Sequence, residues 1–212
     1  MATLGSKLRK ANATWILAGM CVAAFVCLDV EALWLHSSDD ALVGEPWRLL
    51  TALFGHGHPL HLLANVVALL ALCPFAESRL GSWRTAALFL AAGIAGNLAF
   101  ALTGALSAAH SSLVGCSASV LGVAAWLIGR RYPRMLALGA AVAATGVVGP
   151  NPGGAMAHLA GLAVGYAWLR LAPKAKTAAT DDSLIEKARQ SGFASLTEAE
   201  RSSLFSQSRT AR

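Results

Sequence analysis

The sequence predicts an all-α polytopic membrane protein, a bundle of six transmembrane helices with both termini cytoplasmic. Three observations carry that expectation. Of 212 residues, 56% are hydrophobic and only 13% charged, with a mean hydropathy of +0.56; ordinary soluble domains are about 25% charged. Four stretches lack any charged side chain, 11–28, 49–76, 85–129 and 135–169, which are 18, 28, 45 and 35 residues long. A transmembrane helix needs roughly 17 to 25 apolar residues, so these windows hold six spans. Basic residues gather at Lys7, Arg9 and Lys10, at Arg79 and Arg84, at Arg130, Arg131 and Arg134, and at Arg170, Lys174 and Lys176. The intervening loops hold Arg48 with the acids Glu31, Asp39, Asp40 and Glu45. Six crossings that start in the cytoplasm put every cluster inside, as the positive-inside rule requires. The net charge of +6 is therefore a topology signal and gives no reason to invoke nucleic acid. The same composition excludes disorder, collagen and coiled coil.

The elements follow in chain order. Residues 1–13 form a cytoplasmic N-terminal segment and 14–173 the membrane domain. The first span is Thr14 to Val30; a cleaved secretory signal is disfavoured because no small-x-small site follows Leu28 and further spans come after it. The others are Leu60 to Ala76, Arg84 to Thr103, Leu113 to Gly129, Met135 to Val148 and Ala155 to Leu171. The fifth has only 14 residues, so Arg134 must snorkel or the bilayer thin. The run from Gly149 through Pro150, Asn151, Pro152 and Gly153 to Gly154 predicts a tight turn before the sixth. Small residues such as Gly93 and Gly96, and Gly161 and Gly165, allow close helix approach where lipid offers no hydrophobic drive, so the spans should pack as one bundle. Cys21, Cys27, Cys73 and Cys116 fall in apolar stretches, read as small hydrophobes, and show no disulfide or CxxC metal pattern. After Pro173 charge returns, and 174–212 reads as a cytoplasmic tail with a helix over Asp182 to Gln190 and a stop at Gly192. Thr197 and Glu200 form a capping box that opens a second short helix through Phe205. Leu184, Phe193, Leu196, Leu204 and Phe205 supply a small apolar cluster, without catalytic chemistry.

Polar groups inside membrane helices are expensive, and each is a functional candidate. His61 and Asn65 share a face of the second span, Gly115, Cys116, Ser117 and Ala118 open the fourth, and His158 lies near the start of the sixth. All three spans run from outside to inside, so His61, Asn65, Ser117 and His158 fall at comparable depth near the outer surface. A serine hydroxyl needs a base within hydrogen-bonding reach, and a neutral imidazole suits that role. Ser117 would attack a carbonyl while His158 takes its proton. The oxyanion would be met by the Ser117 amide with the His61 and Asn65 side chains, and Gly115 would permit close backbone approach. No intramembrane carboxylate completes a triad, which leaves a dyad that requires neither metal nor cofactor.

These residues resemble the rhomboid intramembrane serine proteases. The resemblance runs through Trp47 and Arg48, through His56 and the segment His61 to Asn65, through Glu77 to Ser82, through Gly115 to Ala118, and through Ala157 to Gly165. It implies a rhomboid-like six-helix fold, Ser117 as nucleophile, His158 as general base, and His61 with Asn65 as oxyanion partners. It implies transmembrane protein substrates cleaved within the lipid bilayer, often beside small residues where a helix unwinds easily. The tail from Asp182 to Glu198 is similar to a cytoplasmic appendage of some bacterial rhomboids, which points to a bacterial inner membrane and an unidentified tail partner. His56 has either a catalytic or a loop-supporting part. Two departures stand out: Ala118 replaces the second glycine of the family's GxSG and adds a methyl group beside the nucleophile, and Leu121 stands where many members place an aromatic ring against the catalytic histidine.

Blander and rival readings follow from the same residues. His36, His58 and His110 read as solvated loop residues, Trp47 and Arg48 as an interfacial anchor or loop brace, and Glu77 with Arg79 as pins for the cytoplasmic end of the second span. His56, His58, His61 and His158 could instead bind zinc or copper in a transport path or metalloprotease, although HExxH is lacking. A catalytically silent relative that escorts membrane helices would typically lack the serine or histidine. Within the enzyme reading, a subfamily that processes C-terminal sorting signals is similar in size.

Overall fold

In a computed structural model, the described residues are 11–36, 44–107, 112–129, 132–135, 139, 152–171, 181–198 and 200–201. They are mostly helical and fall into two compact units, one within Ala2–Leu171 and one within Ala172–Arg212.

In the larger unit, α1 spans Asn12–Cys27, α2 Arg48–Thr51, α3 Pro59–Leu80, α4 Ser82–Ser107, α5 Ser117–Ile128 and α6 Pro152–Leu171. The strands β1 (Leu35–His36) and β2 (Ser112–Leu113) pair antiparallel, Leu35 opposite Leu113. His36 is thus a strand residue and not a solvated loop histidine; its Nδ1 lies 3.0 Å from Ser112 Oγ. The predicted fourth span loses its first turn to β2, and α5 begins at the nucleophile candidate itself. Conversely, Pro152, Gly153 and Gly154 belong to α6 and not to a turn before it. Proline is tolerated in the first helical turn, where its missing amide has no helical partner, and Gly153 lets the Phe100 ring lie where a Cβ would clash. The predicted fifth span, apart from Met135 and Gly139, lies outside the described residues, as do Gly149 to Asn151.

α6 packs on α4 and α5, which also pack on each other, while α1 packs on α3. The α5–α6 seam is backbone against backbone. A Cβ on Gly161 would collide with the Ala118 carbonyl, and one on Gly165 with the Gly122 carbonyl. These glycines are four apart and so lie one above the other on α6. Where α4 joins this seam, a Cβ on Gly96 would come 2.6 Å from the Ala118 methyl of α5 and 2.9 Å from the Ala157 carbonyl of α6. The methyl that departs from GxSG is therefore buried in the α4 contact, 4% exposed, rather than presented to a substrate.

α1 has no side-chain cap of its own, and a distant residue supplies one. The Glu77 carboxylate accepts the Ala13 and Thr14 amides at 2.9 and 3.1 Å and the Thr14 hydroxyl at 2.8 Å. An anion there satisfies orphan donors and complements the helix dipole. Glu77 therefore caps the first helix and, in doing so, pins the end of the second to it. Arg48 is the loop brace: its guanidinium donates to the carbonyls of Glu31, Ala32 and Trp34 at 3.2, 2.8 and 2.8 Å and pairs with Glu45. Asn97 of α4 donates to Leu49 O at 2.9 Å and fixes α2.

Around an apolar core, large apolar side chains also face outward and several polar ones are buried. Ile16, Val26, Leu60, Leu63, Val67, Trp83 and Leu102 are exposed, whereas Thr14, His56, Asn65, Glu77, Asn97 and Ser119 are buried. Among the described residues, two helices, Pro59–Leu80 and the 82–104 part of α4, are long and apolar enough to cross a membrane.

In the smaller unit, α7 spans Asp181–Ser191 and stops at Gly192, whose φ is 81°. A 3-10 turn covers Phe193–Ser195. The capping box forms as expected: Glu200 accepts the Thr197 amide at 2.7 Å, and Thr197 Oγ1 accepts the Glu200 amide at 3.3 Å. Lys187 reaches across to Glu200 at 2.8 Å, and with Thr197 it holds that carboxyl down to about 2. Leu184 and Leu196 are buried, whereas Phe193 is exposed beneath the Arg201 guanidinium. Leu204 and Phe205 lie outside the described residues.

Candidate active site

The chain enters α5 through a sharp turn. Gly115 has a φ of 115°, a conformation that L side chains rarely adopt, and a Cβ there would lie 2.7 Å from His61 Cε1. Its amide is committed to Ala52 O at 2.8 Å, which ties the turn to the end of α2 and removes this N–H as an oxyanion donor. Val120 N closes the first bond of α5, on Cys116 O at 2.9 Å. The Ser117 amide precedes that bond, at the positive end of the helix.

Ser117 Oγ lies 2.8 Å from His158 Nε2, across the glycine-lined α5–α6 seam. Both side chains are half-buried. The serine can donate only to an unprotonated Nε2, so the competent tautomer carries its proton on Nδ1. No acidic side chain forms an ion pair with His158 among the described residues. Nor does an aromatic ring stack on it there, in keeping with Leu121 in place of a ring.

His61 stands beside Gly115 at the same end of the bundle. Asn65, one turn on, is buried and donates from Nδ2 to His61 O at 3.1 Å, which holds its amide against its own helix. No hydrogen bond joins Asn65 to Ser117 among the described residues. His56 is fully buried, with its ring edge-on to His61 at a centroid distance of 5.1 Å. Its Nδ1 donates to Phe54 O at 3.2 Å, and burial pushes the imidazole down to about 4. It is neutral at physiological pH. His58 is exposed at the N-cap of α3, where its Nδ1 accepts the Leu60 amide at 3.2 Å. The four histidines considered as metal ligands thus do not form one ligand group among the described residues. A different trio does: Cys21, His56 and Cys116, all buried, whose ligand atoms lie within 4.8 Å of one another. Local spacing could not reveal it, because the three residues come from segments far apart in the chain.

Residues 43–174 match the model of the Rhomboid domain. The chain is 35% identical over 80 residues to "RHOMBOID-like protein 5" of Arabidopsis thaliana, a match over 38% of this chain and 25% of that protein. It is 30% identical over 130 residues to "Putative rhomboid protease YdcA" of Bacillus subtilis (strain 168), over 58% of this chain and 65% of that protein. The chain thus spans less than two thirds of the length of either relative. Together with the outward-facing apolar helices, a domain match over more than half of the sequence makes this an integral membrane protein, and one that belongs to the rhomboid family.

Proposed function

We propose that the protein is an intramembrane serine endopeptidase that cleaves peptide bonds in or near the transmembrane segments of other membrane proteins. The observation that carries this reading is the 2.8 Å contact between Ser117 Oγ and His158 Nε2. Members of the rhomboid family are generally serine intramembrane proteases. Ser117 Oγ attacks the scissile carbonyl as its proton passes to His158 Nε2. The Ser117 amide and the His61 and Asn65 side chains meet the oxyanion, and His158 returns the proton to the leaving amine. Water then hydrolyses the acyl-enzyme with His158 again as base. No step calls on a metal or cofactor. His56 supports His61 through the edge-on ring contact.

The reading includes six crossings, with the described helices α1, α3, α4, α5 and α6 as five of them and residues 135–148 as the other. It also includes both termini inside, a membrane domain over 14–173, a tail over 174–212, and a bacterial inner-membrane location. The basic clusters support that orientation, since they fall in alternate loops and therefore all on one side of the membrane. Water has to reach the dyad, so the polar end of the bundle opens to the outside.

The test is reconstitution with a model transmembrane substrate and labelling with a fluorophosphonate. Ser117→Ala abolishes labelling and lowers turnover by about 10⁴-fold or more, and His158→Ala does the same. Cleavage that persists in Ser117→Ala overturns the nucleophile assignment.

A further inference from the structure

The buried trio of Cys21, His56 and Cys116 is not used by the proposed chemistry. Cysteines are often buried as small hydrophobes, and two thiols alone would call for no other account. The histidine is what sets this cluster apart. The Phe54 carbonyl can only accept, so His56 Nδ1 carries the proton and Nε2 presents a lone pair. That lone pair faces Cys116 Sγ at 4.0 Å, and a thiol is a weak donor. A histidine whose other ring nitrogen donates to a backbone carbonyl has the outer-shell arrangement that orients metal-binding imidazoles. The Cys21 and Cys116 sulfurs lie within 4.8 Å of each other. Two soft sulfurs and one imidazole nitrogen thus converge from α1, from the segment before α3 and from the N-cap of α5.

We propose that Cys21, His56 and Cys116 bind a thiophilic closed-shell cation, Cu(I) or Zn(II), and so tie the first helix and the loop to the turn that carries Ser117. With metal–sulfur bonds of about 2.3 Å and metal–nitrogen bonds of about 2.0 Å, a planar three-coordinate ion needs about 3.7 Å between sulfur and nitrogen and about 4.0 Å between sulfurs. The Cys116 sulfur and His56 nitrogen, 4.0 Å apart, need only a small approach to reach that, and no pair exceeds 4.8 Å. Binding releases the two thiol protons as metal–thiolate bonds form. The two ions are chemically distinguishable: two thiolates neutralise Zn(II), whereas a dry three-ligand site suits Cu(I). Because Cys116 adjoins Ser117 in the chain, a loaded site fixes the first turn of α5.

The experiment is an anaerobic titration of the full, reduced chain in detergent, with Cu(I) competed against bicinchoninate and Zn(II) against a chromophoric chelator. One equivalent of one of the two ions is expected, with sulfur scatterers at about 2.3 Å in its X-ray absorption spectrum. Cys21→Ser and Cys116→Ser each weaken binding by about 100-fold or more, whereas Cys27→Ser, at the exposed end of α1, leaves it unchanged. Circular dichroism of the metal-free variants shows whether they fold. If they do not, the wild-type spectrum decides alone, and absence of sulfur scatterers sinks the proposal. Failure of the wild type to bind either ion overturns it, as does binding that survives the double substitution Cys21→Ser, Cys116→Ser. These readouts do not depend on proteolysis, so they stand or fall separately from the protease reading.

Discussion

Two helix junctions in the membrane unit are built on opposite principles. At Gly161 and Gly165, α5 meets α6 with glycine against backbone, whereas the start of α1 is held to the end of α3 by one carboxylate that accepts from the Ala13 and Thr14 amides and the Thr14 hydroxyl. The first junction carries a 2.8 Å hydrogen bond between its helices, and backbone contact leaves no rotamer to adjust that distance. The second has only to hold a helix end in place, and a charge-assisted cap does so with tolerance in its geometry. Where Ser117 and His158 meet, freedom between the helices is removed; where a helix must be moored, one strong polar contact suffices.

The largest expected effect breaks the first junction. Gly161→Val forces α5 and α6 apart and lowers turnover by about 100-fold or more, since a shift near 1 Å at reacting groups has that consequence. Gly165→Val, a turn farther from His158, overpacks the same seam at about 1–3 kcal/mol but affects turnover less than it affects thermal stability. Equal losses of turnover in the two variants would remove the link between seam and dyad.

The next effect is one of pH. An unfolded histidine titrates near 6.5, whereas buried His56 does so at about 4, so the unfolded chain takes up a proton that the native state refuses. The resulting stabilisation is complete above pH 6.5 and is lost as pH falls towards 4, on the order of 3 kcal/mol in all. Thermal unfolding across that range should show the slope, and His56→Phe should flatten it.

Glu77→Gln tests the second junction. It removes the charge from three hydrogen bonds and should destabilise the protein by about 1.5–3 kcal/mol, with turnover of the folded fraction unchanged. A collapse of turnover in that fraction would mean that the mooring also sets the site. The smallest effect falls in the other unit: Thr197→Ala removes the cap and should cost about 1 kcal/mol of tail-helix stability, visible as faster amide exchange in residues 198–201.

The two junctions also differ in how far the sequence disclosed them. The glycine pair at 161 and 165 was readable because its spacing is helical, and the contact of Ser117 with His158 was foreseen from residue chemistry at matching depth. The partners through which Glu77 pins the end of its helix, Ala13 and Thr14, are hidden because they lie more than sixty residues away and no local spacing reports them. The same holds for the Cys21, His56 and Cys116 trio and for the two-residue strand pair, where each segment is too short to show a period. Charge counting ended the second span at Ala76, whereas the helix runs to Leu80, because the Glu77 carboxylate turns to α1 instead of to water. The Ala118 methyl was expected beside the nucleophile; that Gly96 receives it is a tertiary fact.

Arg48 has a consequence for how the protein behaves in acid. The three carbonyls that its guanidinium holds do not titrate. On the proposed mechanism, protonating His158 stops turnover, whereas these contacts persist. Protein quenched briefly in mild acid should then regain turnover on neutralisation with this loop still in place.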